Sequence, residues 1–108
     1  MNQRGCFSFV RSPQVFLSLE TPQERRALPY ALLVDVEISS DSTTIKLSFS
    51  HYAVMVRGYQ LDEIYHSIRA AECAVIMPGK RSDVDVPHGS KTLMSVTDIR
   101  LKRLQTPS

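Results

Sequence analysis

The stretch ALLVDVEISSDSTTIKLSFSHYAVMVR, residues 31–57, decides the fold. Leu32, Val34, Val36 and Ile38 alternate with Leu33, Asp35 and Glu37. After Ser39-Ser40-Asp41-Ser42 come Ile45, Leu47 and Phe49, alternating with Thr44, Lys46 and Ser48. After Ser50-His51, Tyr52, Val54 and Val56 alternate with Ala53, Met55 and Arg57. Apolar residues at every second position mark half-buried strands, and the short polar breaks make them an antiparallel meander.

Loop length sets the register. With Ser39–Ser42 as a four-residue loop, Ile38 lies opposite Thr43, Val36 opposite Ile45, Val34 opposite Leu47 and Leu32 opposite Phe49. Asp35 then meets Lys46 on the other face. With Ser50-His51 as a two-residue loop, Leu47 lies opposite Val54 and Ile45 opposite Val56. Both counts put apolar on apolar, and a slip of one residue would turn a whole row to the wrong side.

Downstream, Gly58 punctuates. Leu61, Ile64, Tyr65, Ile68 and Ala71 then fall on one face of a helix over about 60–71, with Asp62 and Glu63 in the first turn where acids suit the helix dipole. This helix is expected to roof the meander, with Val34, Leu47 and Val54 side by side beneath Ile64 and Ile68. Residues 73–77 read as a short buried strand, 78–92 as a loop and 93–104 as a last strand, with a helix as the alternative. Upstream, 14–19 reads as a strand. The segment 20–30, bracketed by Pro22 and Pro29, reads as a connector, with Thr21 and Glu24 spaced to cap one helical turn.

The chain is therefore expected to be a single small α+β domain over 14–104. It has one antiparallel sheet of about four to six strands and one principal helix on one face, between a flexible segment 1–13 and a tail 105–108. The 108 residues are enough for one modest core.

Charge and chemistry narrow the function classes. The net charge is +2, too small to require a nucleic-acid or membrane partner. Residues 31–79 carry three basic and six acidic groups, whereas 80–108 carry six basic and three acidic. No run approaches the roughly 20 apolar residues that span a bilayer, and the apolar stretch 6–10 is closed by Arg11 and Pro13, too short for a signal peptide. A membrane partner is not expected. Cys6 and Cys73 make no disulfide framework, so the cytoplasm is the expected compartment.

His51, His66 and His88 lack a second ligand at metal-site spacing, and no serine stands in a nucleophile elbow. The glycines are scattered at 5, 58, 79 and 89, with no phosphate loop among them. No cofactor, metal or catalytic residue is assigned, and catalysis is the less expected use of the chain.

The expected use is association, with a second copy or a larger protein. The candidate surface is the outer face of the meander, where Leu33, Ala53, Met55 and Arg57 stand among polar neighbours. The alternative is weak nucleic-acid binding through phosphate contacts from Lys80, Arg81, Arg100, Lys102 and Arg103 in the basic last third. The aromatic stacking platforms of single-strand binders are missing, and a basic edge strand also serves to block sheet-to-sheet aggregation.

Overall fold

A computed structural model describes residues 2–3, 6–80 and 94–104. The fold is α+β: among the described residues, ten strands form two five-stranded sheets, with one α-helix. The strands are β1 (Asn2–Gln3), β2 (Phe7–Phe9), β3 (Phe16–Glu20), β4 (Arg25–Pro29), β5 (Leu33–Ile38), β6 (Thr44–Phe49), β7 (Tyr52–Tyr59), β8 (Cys73–Ile76), β9 (Gly79–Lys80) and β10 (Ser95–Arg103). The helix α1 is Asp62–Arg69, and a single 3-10 turn, Tyr30–Leu32, joins β4 to β5.

The meander sheet has the order β5-β6-β7-β10-β9 and is antiparallel throughout. The register between β6 and β7 is the expected one, with Leu47 opposite Val54 and Ile45 opposite Val56. Ile45, Leu47, Phe49, Val54 and Val56 are all buried, so the period-2 pattern places this face correctly.

Between β5 and β6 the register differs from expectation by two residues, with Val36 opposite Leu47 and Ile38 opposite Ile45. The loop closes on Ser39, whose N–H donates to the Thr44 carbonyl at 2.9 Å. Inside it, the Asp41 carboxylate accepts from the Ser39 and Thr43 hydroxyls, each at 2.7 Å. These bonds, the Ser39 hydroxyl first, hold the Asp41 carboxyl below the usual carboxylate range. A slip of two keeps the faces. A bulge between Leu33 and Asp35 does not. It leaves Val34 as the extra residue, 76% exposed, and turns Leu33 inward opposite Phe49. The row expected from Val34, Leu47 and Val54 therefore holds only for the last two.

The second, mixed sheet has the order β1-β2-β8-β3-β4. It stands in addition to the expected antiparallel sheet, which is the five-stranded meander sheet. Strand β8 enters between β2 and β3, parallel to β3 through Ser18–Val75 and Leu19–Ile76. Residues expected to be a flexible lead and a connector build it. Phe7–Phe9 is a strand, with Cys6 and Phe7 fully buried. Arg25–Pro29 is a strand paired with β3, its Leu28 buried. Thr21 and Glu24 close that hairpin instead of capping a helix: the Thr21 N–H donates to the Glu24 carbonyl at 2.8 Å, and the Glu24 N–H to the Thr21 hydroxyl at 3.0 Å. Residues 95–103 are a strand, as the first of the two readings had it. The 105–108 tail lies outside the described residues.

Helix α1 buries Ile64 and Ile68, and Leu61 just ahead of it is buried too. Its start is tied to the β5–β6 loop, where the Leu61 N–H donates to the Ser42 carbonyl at 3.0 Å and the Ser42 hydroxyl to Asp62 at 2.8 Å. It ends in a left-handed residue, Ala71 (φ 57), with Glu72 N–H bonded to the Ser67 carbonyl and Ala71 N–H to that of Ile68. That is the Schellman arrangement, here without the usual glycine. The roof over the meander is therefore shared. Residues of both sheets and of α1, from Leu17 and Leu19 to Leu47, Val56 and Ile64, form one core. At its rim the Arg26 guanidinium of β4 stacks 4.7 Å from the ring centre of Tyr52 of β7, which ties the two sheets, and the Tyr30 hydroxyl, in the turn between them, donates to the Cys73 carbonyl of β8 at 2.7 Å.

Candidate functional site: the outer face of the meander sheet

One face of the meander sheet meets the core. The other is built by the alternate residues of β5, β6, β7 and β10. Its rows follow from the registers. Glu37, Lys46, Met55 and Arg100 lie across the sheet in one row; Asp35, Ser48, Ala53 and Lys102 form the next. Thr44, Arg57 and Asp98 form a third. Ala53 and Met55 are half-buried in the middle, and Lys46, Arg57, Arg100 and Lys102 are exposed around them. An apolar centre within a charged rim is the anatomy of a contact surface.

The structure thus unites two sets of residues that the sequence kept apart. Ala53, Met55 and Arg57 of the candidate interaction surface share a face with Arg100 and Lys102 of the candidate phosphate contacts, because β7 and β10 are neighbours. Leu33 leaves the set. The bulge turns it inward, where it lines a groove of about 450 Å³ between β5 and α1 with Val36, Tyr65 and Ile68. Arg103 pairs with Tyr52 and so falls on the opposite parity, exposed at the strand's end. Lys80 contributes a backbone pairing to Ser95; Arg81 lies outside the described residues.

Glu37 and Lys46 stand on the face to which the alternation assigned them, with Lys46 opposite Glu37 where Asp35 was expected, and a further residue of the face, not singled out from sequence, is Asp98. The alternation of Asp98, Arg100 and Lys102 was the available signal for it. The Asp98 carboxylate accepts from Arg100 Nε at 2.9 Å, an exposed pair worth little to stability. Acidic groups collect at the β5 edge of this face (Asp35, Glu37). Basic groups collect at its β10 edge (Arg100, Lys102).

Cys6 and Cys73 are both fully buried and are not joined by a disulfide. Burial pushes the Cys73 thiol up to about 12, so the nucleophilic thiolate is disfavoured. An open depression of about 440 Å³ holds His66, Ser67, Glu63 and Glu72. The Ser67 hydroxyl there donates to the Ile64 carbonyl at 2.8 Å. His51 is exposed in the β6–β7 turn, and His88 lies outside the described residues. Among the described residues no three His, Cys, Asp or Glu side chains converge as metal ligands. No helix among them is long and apolar enough to cross a membrane. Compared with protein-family models, with curated proteins and with solved structures, the chain matches none, and its face is left to speak through its own chemistry.

Proposed function

We propose that this protein is a non-catalytic association module that meets a second copy or a larger protein through the outer face of the meander sheet. The carrying observation is the pair Ala53 and Met55, half-buried at the centre of four adjacent strands with charged residues on every side. Such a centre gains by losing water to a partner, while the rim selects which partner fits. The proposal places the protein in the cytoplasm, where a reduced thiol such as that of Cys73 is the normal state.

The test is site-specific photo-crosslinking in the living host. A photoreactive residue at position 55 is expected to give protein adducts. The same residue at the exposed Gln23, in the β3–β4 turn, serves as the control. Equal adducts at the two positions, or none at 55, would remove the proposal. Adducts to nucleic acid at 55, lost when Arg100 and Lys102 become Glu and weakened steeply by salt, would replace it with the phosphate-binding alternative.

A further inference from the structure

Strand β5 and the stretch of β10 beyond its pairing with β9 carry opposite charge, and we propose that they pair between copies: β5 of one molecule against β10 of the next, so that the sheet continues from copy to copy. The proposal goes beyond the association reading above: it adds a second contact, one that leaves Ala53 and Met55 uncovered, and names a second copy as the partner.

Among the described residues neither stretch carries a further strand, and the second side of β5 borders the groove it shares with α1. Strand β5 has β6 on one side only. Strand β10 has β9 on its second side at Ser95 and Val96 alone, which leaves Asp98–Arg103 without a strand there. That open stretch is six residues long, and β5 is six residues long. Their directions also fit. The four strands β5, β6, β7 and β10 alternate, so β5 and β10 run antiparallel. A second copy that extends the sheet therefore meets the first with the same antiparallel geometry and the same face outward.

One register satisfies every row. Setting Asp35 opposite Lys102 of the second copy sets Glu37 opposite its Arg100. Two acids then face two bases on the outer side. On the inner side the same register sets Val36 opposite Leu101 and Ile38 opposite Ile99, apolar on apolar. The hydrogen-bond phase agrees independently. Ser39 bonds Thr44, so by alternation Glu37 and Asp35 turn their amides to β6, and Val36 and Ile38 turn theirs to the open edge. Leu104 N–H bonds the His51 carbonyl, so Lys102 and Arg100 turn theirs to β7, and Leu101 and Ile99 to the open edge. The residues whose backbone groups face outward on one edge are thus opposite those that face outward on the other. The charged pairs fall at the positions between, where side chains approach most closely. By contrast, a two-fold pairing of β5 with itself sets acid opposite acid in either register centred on the strand.

The contact is head-to-tail, so it propagates into a ring or an open filament and does not stop at a two-fold dimer. Sedimentation of the full chain tests it. At low salt the mass is expected to climb past a dimer with concentration, and to fall to the monomer as salt rises. Asp35→Lys with Glu37→Lys is expected to give a monomer, and so is Arg100→Glu with Lys102→Glu. Mixed, the two variants should reassemble, since each supplies the edge the other has lost. That recovery also shows that both are folded. Hydrogen exchange in the assembly should slow at Val36, Ile38, Ile99 and Leu101.

Any of three results would overturn the proposal: a wild-type monomer at every salt and concentration, an assembly indifferent to the β5 reversal, or variants that fail to recover when mixed. If crosslinks at position 55 persist while sedimentation gives a monomer, the association reading stands and the edge pairing falls.

Discussion

The two sheets of this protein, five strands each among the described residues, are built in opposite ways. Three strands of the meander sheet follow one another through loops of a few residues, so each partner is the next segment of sequence. The mixed sheet gathers strands from residues 2–29 and completes itself with 73–76, inserted between β2 and β3. Local pairing writes itself into hydrophobic periodicity and loop length. Remote pairing leaves only short apolar runs, which by themselves specify no partner.

If the two sheets share one core, damage to either should unfold both. Leu47→Ala in the meander sheet and Leu19→Ala in the mixed sheet are each expected to cost about 2–5 kcal/mol, from lost transfer energy and the cavity left behind. Far-UV and tyrosine signals should still fall together in one transition for both variants. Separate transitions for Leu19→Ala would mean that the sheets are independent units.

Gly58→Ala probes the join of β7 to β10. A Cβ there would stand 1.9 Å from the Ser95 carbonyl oxygen, at the approach beside the Val96/Asp98 bulge. The expected loss in chemical denaturation is about 3 kcal/mol. A neutral result would mean that β10 sits farther from β7 than described.

Alkali should act through the mixed sheet. The Cys73 thiol is raised in the folded state, so its contribution is complete below the thiol's unfolded value and is lost as pH rises towards about 12. Tyr30, half-buried and raised chiefly by desolvation, adds in the same direction at still higher pH. Stability should fall above about pH 9 by at most about 1.4 kcal/mol per pH unit for each group. Cys73→Ala should flatten the first part of that decline. An unchanged slope would show that the thiol is not held as described.

Smaller effects belong to the helix end and the open face. Ala71→Gly relieves a left-handed alanine and should stabilise by about 0.5–1 kcal/mol in thermal melts. Lys46→Ala, exposed in the second row from the edge, should cost well under about 1 kcal/mol. A cost equal to that of Leu47→Ala would contradict the assignment of faces.

What the sequence made legible follows the same division. Ile45, Leu47, Val54 and Val56 announce their partners because one short turn joins their strands. Ile64 and Ile68 announce theirs through helical spacing. Val34 misleads, since nothing in Leu33-Val34-Asp35 signals the bulge that exchanges the roles of the first two. Phe7–Phe9 is only three residues long and its partner β8 lies far along the chain, while Arg25–Pro29 buries Leu28 alone in a charged, proline-bracketed stretch, so neither reads as a strand. The candidate face was legible in two pieces. Met55 and Arg100 each stood out, but the register that makes them neighbours spans 45 positions of sequence and lies beyond any local pattern.

The insertion of residues 73–76 between β2 and β3 also imposes an order on synthesis. A ribosome releases Phe7, Leu17 and Leu19 long before Val75 and Ile76, the residues that complete their sheet. Through that interval the leading apolar strands of the nascent chain have no native neighbour at the slot β8 will fill. Until that slot closes, the emerging chain carries the unpaired strand edges that invite misassembly.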